Sequence, residues 1–92
     1  NLQKLDPLRI GEGPRETLEC DLAGEHDALT LYREARDHCD EVGDHVSKNL
    51  FEALITDEEG HVDFLETQLD LYDRLGAEGY ALLNAAPMDD AE

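Results

Sequence analysis

Residues 55–66 read Ile55-Thr56-Asp57-Glu58-Glu59-Gly60-His61-Val62-Asp63-Phe64-Leu65-Glu66, and the spacing of their apolar positions decides the fold class. Steps of three and four residues extend the pattern in both directions, through Leu50, Leu54, Glu58, His61, Leu65, Gln68, Tyr72 and Leu75. At about 100° per residue these positions span an arc of roughly 100°, the core-facing stripe of an amphipathic helix. Glu58 and His61 lie in the middle of that stripe, with leucines on both sides. Glu52, Glu59, Asp63, Glu66 and Asp70 fall on the opposite side, where water solvates them.

An upstream stretch repeats the arrangement. Leu18, Leu22, Glu25, Leu29 and Tyr32 share one helical face, again with a carboxylate among leucines. A carboxylate in an apolar stripe is costly unless it is paired or bound to a cation. No Lys or Arg occupies the middle of either stripe; the nearest is Arg36. A divalent metal is the natural compensation, and carboxylate oxygen with imidazole nitrogen suits iron or manganese, and zinc less exclusively. The i, i+3 spacing sets Glu58 and His61 side by side, one turn apart. An isolated Glu-x-x-His is a weak signal, open to two other readings. His61 can be a buried histidine with one hydrogen bond, and a glutamate can pair with a basic residue from a helix this chain does not carry. Glu25 at matching depth on the neighbouring stripe favours the metal. Glu25, Glu58 and His61 are therefore the candidate metal-ligating and catalytic residues.

Breaker residues divide the chain. Asp6-Pro7 and Gly11-Glu12-Gly13 mark residues 1–13 as a non-helical connection whose Leu2, Leu5, Leu8 and Ile10 suit a surface-hugging path. Pro14 fits a first helical turn, with Glu16 and Glu19 at the positive end of the helix. A helix is predicted over 14–42. Gly43 is its stop and Asp44 the N-cap of a second helix over 44–75, with Gly76 as the C′ residue. A short helix follows over 77–85, then Pro87 and an acidic tail over 86–92. Helices of this length are rods of roughly 45 Å, and a tight turn between them makes an antiparallel hairpin. Both carry apolar surface that a hairpin alone cannot bury, so at least two more helices are required. The 92 residues amount to one small all-α unit.

Composition narrows the function classes. Seven Lys and Arg stand against 24 Asp and Glu, a formal net charge of −17. Such a surface repels nucleic acid and anionic membranes and attracts cations. No apolar run approaches the roughly 20 residues of a membrane span, and the N-terminus has no signal-peptide pattern. Cys20 and Cys39 on one helix are separated by about 28 Å, too far for a disulfide, so two free thiols in a reducing cytoplasm are expected. His26, His38 and His45 have no partner at ligand spacing and read as solvated surface groups. Tyr32 and Tyr72 read as packing residues.

The run from Ile55 to Glu66 resembles the Asp-Glu-Glu-Gly-His-x-Asp-x-Leu-Glu signature of the bacterioferritins, and Asp21-Leu22-Ala23-Gly24-Glu25 resembles the Asp-Leu-Ala-x-Glu segment of their third helix. Asn1-Leu2-Gln3, Ile10-Gly11-Glu12, Gly43-Asp44, Leu75-Gly76 and Tyr80 fit as well. The likeness covers nearly the whole chain but only the second half of a subunit. It implies a ferritin-like four-helix bundle, to which this chain supplies the crossover loop, two long antiparallel helices and a short C-terminal helix. It also implies iron storage and ferroxidase activity at a di-iron carboxylate centre, within a 24-subunit shell. Glu25 would be a terminal ligand of one iron and Glu58 a bridge between the two. His61 would bind the same iron as Glu25 or its neighbour. The remaining Glu and Glu-x-x-His of this ligand set, the known one for ferritin-like bundles, would come from the N-terminal half of the subunit. The family's haem b hangs on a methionine of the second helix, which this chain lacks; Met88 does not match it. Asp57 would pass iron toward the cavity, with solvated acid an equal reading, and Asp63 and Thr67 would line a pore between subunits. Two readings outside this assembly stay open: a homodimer of the hairpin that completes a di-metal site by symmetry, and a non-enzymatic acidic interaction module.

Overall fold

The computed structural model describes residues 13–85. Most of the expected crossover connection (1–12) and the acidic tail (86–92) lie outside the described residues.

Two α-helices account for nearly everything described. Helix α1 is Pro14–Val42 and helix α2 is His45–Ala85. Pro14 opens α1 where its missing N–H costs nothing. Gly43 closes it in the left-handed conformation, φ 79° and ψ 17°. The Gly43 and Asp44 amides donate to the carbonyls of Asp40 and Cys39, at 3.2 and 2.8 Å. This pair of bonds satisfies carbonyls that the helix end would otherwise orphan. Asp44 then caps α2 by accepting the Ser47 amide at 3.1 Å. One residue thus ends one helix and starts the next, and the chain reverses within two residues.

Gly76 divides α2. Its φ of 76° and ψ of 170° are non-helical and lie in a region open essentially only to glycine. The helical turns over 77–85 bend back after it. Tyr80 packs edge-on to Tyr72, ring centroids 5.3 Å apart, and donates its hydroxyl proton to Gln68 Oε1 at 2.6 Å. That contact docks the short segment onto the long one.

The two helices pack antiparallel along a narrow seam. Leu29 and Cys39 of α1 meet Ile55 and Leu65 of α2, and these four alone are fully buried among the described residues. Tyr32 and Phe51 add a tilted ring contact at 6.2 Å. Exposed ion pairs hold the register along the seam: Arg15 to both oxygens of Asp73 at 2.8 and 3.0 Å, Arg33 to Glu59 at 2.9 Å, and Lys48 to Asp40 at 3.0 Å. Each such pair contributes at most about 1 kcal/mol.

The seam differs from the stripe expected of α2. Leu50 and Leu75, placed by periodicity in the core, are 58% and 46% exposed, while Ile55, outside the stripe, is buried. The reason is geometric. A stripe of roughly 100° serves neighbours on two sides, and only one neighbour is present. Ile55 and Leu65 face α1; Leu50 and Leu75 lie on the flank where further helices would pack. Cys39 likewise enters the seam although the α1 stripe does not include it, because at a period of 3.6 it continues that stripe beyond Tyr32. Leu31, Val42, Val46, Phe64, Leu82 and Leu83 are also exposed, as expected of a hairpin with unburied apolar surface.

Candidate metal centre

Helix α1 presents Glu25 from its middle, and helix α2 presents Glu58 and His61 from the opposite side of the seam. All three converge. The His61 Nδ1 lies 2.7 Å from Glu58 Oε1 and 3.7 Å from Glu25 Oε1. One donor atom from each residue falls within 4.8 Å of the others, and no other such group of His, Cys, Asp or Glu occurs among the described residues. His26, His38 and His45 take no part. The side chains of Glu58, Glu25 and His61 are 15%, 28% and 62% exposed. The cluster therefore sits at the edge of the seam, with Glu58 innermost and His61 on the open flank. The expectation of His61 in the midst of a core stripe is corrected in the same way as for Leu50.

No basic residue reaches the two carboxylates. Arg33 is held by Glu59, and Arg36 by Asp37 and, at 3.9 Å, by Glu52. The Glu25–Glu58 pair instead shares a proton. Its hydrogen bond to Glu58, together with burial, pushes the Glu25 carboxyl up. The same bond to Glu25 holds Glu58 down, and His61 adds to that effect. Hydrogen bonding to Glu58 raises His61 above its ordinary 6.5. Two like charges and an imidazole have thus been brought together where a proton has to relieve the repulsion.

The donor set fits a divalent cation. Ligand atoms about 2.1 Å from one ion lie no more than about 4.2 Å apart, and the observed separations need only small side-chain rotations to meet that. Carboxylate oxygens and imidazole nitrogen match iron or manganese. The ion would take the place of the shared proton and the imidazolium charge. Three donors leave the coordination shell half built, with the vacant side toward the exposed flank.

Asp57, Asp63 and Thr67 are exposed on α2. Cys20 and Cys39 are free thiols, Cys39 buried in the seam. The Arg33–Glu59 bridge, which ties α1 to the residue next to Glu58, escaped the sequence reading. Its signal, opposite charges at matching depth outside the stripes, is common on any acidic helix pair. The Tyr80–Gln68 bond escaped it too, because its geometry depends on the reversal at Gly76.

A helical hairpin with a carboxylate–imidazole donor cluster at its open edge is half of a metal-binding helical bundle. The ferritin family model, described as a ferritin-like domain, matches residues 1–75, and the chain belongs to that family. Its curated relatives are bacterioferritins, to whose C-terminal half it corresponds. The chain is 87% identical over its full length to bacterioferritin from Rhodobacter capsulatus and 60% identical to that from Brucella melitensis, in each case covering 57% of the relative. The chain therefore spans little more than half the length of these relatives. A solved structure of the Rhodobacter capsulatus bacterioferritin, described with a metal-free dinuclear site and a haem iron, superposes with a TM-score of 0.81. That match has 88% sequence identity, over 97% of this chain and 56% of the other.

Proposed function

We propose that this chain provides half of a ferroxidase centre in an iron-storing bacterioferritin, with Fe(II) as its substrate. The single observation that carries the reading is the convergence of Glu25, Glu58 and His61 with no basic residue to neutralise the carboxylates. Kinship to bacterioferritins along the whole chain supports it.

In this reading Glu25 is a terminal carboxylate ligand, Glu58 bridges two ferrous ions, and His61 offers Nδ1, the nitrogen that faces the carboxylates. The innermost position of Glu58 suits a bridging role. The proton shared by Glu25 and Glu58 leaves as Fe(II) enters. Two Fe(II) each surrender an electron to an oxidant, and the resulting Fe(III) moves into a mineral within a shell of 24 subunits. The second Glu and Glu-x-x-His come from two further helices, the N-terminal half in the relatives, which cover the exposed flank. Exposed Asp57 passes iron toward the cavity, and Asp63 and Thr67 line an entry pore. Haem b in the assembled protein takes its axial methionine from those further helices; no residue described here offers that ligand. The cytoplasm is the matching compartment for two free thiols. No described helix is long and apolar enough to cross a membrane.

The test is mass and metal analysis of the assembled protein, then aerobic addition of Fe(II). The expected result is a 24-subunit particle that oxidises about two Fe(II) per subunit rapidly before slower mineral growth, and loses the rapid phase on Glu58→Ala. Failure to take up iron, or an unchanged rapid phase in that variant, would favour a merely acidic interaction module.

A further inference from the structure

The open flank of the hairpin carries both the donors and the apolar residues of an interface. On α2, His61 shares its side with Leu50, Phe64 and Leu75; on α1, Leu31 and Val42 lie on the same side by helical phase. All five apolar side chains are exposed. The donor cluster lies near mid-length of both long helices, with more than ten residues of helix on either side in each. A two-fold axis through the cluster and perpendicular to the helices would therefore lay a second hairpin over the first along most of its length.

From this geometry we infer that the chain alone pairs with a second copy of itself around a shared two-metal site. The inference rests on the metal-centre reading above and goes beyond it in naming the occupant of the flank. A two-fold contact places the same patch on both partners. It turns one Glu25, one Glu58 and one His61 into two of each: four carboxylates and two imidazoles, a complete set for two divalent ions in a four-helix bundle. Two M(II) ions neutralise four carboxylates, so the centre of the pair carries no net charge. Without metal the four carboxylates face one another and the two chains, each with a net charge of −17, repel. Pairing is therefore metal-dependent, and the ions and the apolar flank act together. Where the helices of an N-terminal half are present they compete for the same flank.

The full 92-residue chain is titrated with Co(II), whose visible bands report coordination, while its mass is followed by sedimentation. The expected result is a cooperative shift from the 10.3 kDa chain to twice that mass, with one Co(II) per chain, absent in Glu58→Gln and His61→Ala. Leu50→Asp, at an exposed position outside the donor set, keeps helix content but abolishes the shift and weakens Co(II) binding at least ten-fold. Co(II) bound by a chain that stays single overturns the self-pairing and leaves the metal centre standing. No Co(II) bound in either state overturns both. A dimer that forms equally well in Glu58→Gln shows an apolar contact without a shared site, and overturns the inference. So does a chain that stays single with Co(II) and pairs only with a supplied N-terminal half of the Rhodobacter capsulatus relative.

Discussion

The imidazole Nδ1 of His61 lies 2.7 Å from Glu58 Oε1, one turn away on the same helix. The contact forms without a cation because an imidazolium and a carboxylate satisfy one another. The same two atoms are the ones a cation would claim. Protonation and metal binding are thus alternatives at one place.

Metal affinity should rise with pH. His61 is raised above 6.5 by Glu58, so at neutral pH part of the chain population must lose that proton before Nδ1 can bind. The sign for the metal-free chain is the reverse. A raised folded pKa contributes stability that is full below 6.5 and is lost as pH rises through the folded value. Co(II) titrations between pH 6 and 8 should show affinity climbing, while urea midpoints without metal fall slightly. A flat affinity profile would mean that Nδ1 is not the ligand.

Glu58→Gln keeps the size of the side chain and removes the charge. His61 should titrate closer to its ordinary value, read from its ring-proton chemical shifts. Metal affinity should drop about 100-fold or more, roughly 2.7 kcal/mol. A Glu59→Gln control, which alters only the partner of Arg33, should leave both readouts within two-fold.

Burial separates residues that periodicity treats alike. Ile55→Ala should cost about 2 kcal/mol or more, as for a buried aliphatic side chain. Leu50→Ala should cost the hairpin alone only a few tenths, because Leu50 is already exposed. In an assembled bundle the two costs should converge. Denaturant midpoints of both variants, in hairpin and assembly, check this.

Gly76→Ala should destabilise the docked short segment by about 1–3 kcal/mol, because φ 76° and ψ 170° strain any residue with a Cβ. Tyr80→Phe should cost about 1 kcal/mol through loss of the hydrogen bond to Gln68. In both, near-ultraviolet dichroism of the tyrosines should weaken and proteolysis after residue 76 should quicken, with metal binding unchanged.

Much of the fold was legible because its signals are local. Pro14, Gly43, Asp44 and Gly76 act through their own φ, hydrogen-bonding groups and neighbours three or four residues away, so helix ends and the reversal could be read directly. The three donors were legible because polar residues inside apolar stripes violate the period that surrounds them. Leu50, Leu75 and Ile55 were misassigned because periodicity reports which side of a helix is apolar, and not how many neighbours will cover it.

The sequence by itself determined that two long helices form, where each stops, and that Glu25, Glu58 and His61 sit at one depth. Only the tertiary structure decided which part of each stripe is used. Antiparallel packing commits Leu29, Cys39, Ile55 and Leu65 to the seam, leaves Glu58 at its edge, and turns His61 outward with Leu50 and Phe64. A helix period assigns directions around one axis, whereas burial depends on what stands in those directions. The half-built coordination shell and the uncovered flank are therefore properties of the packed hairpin.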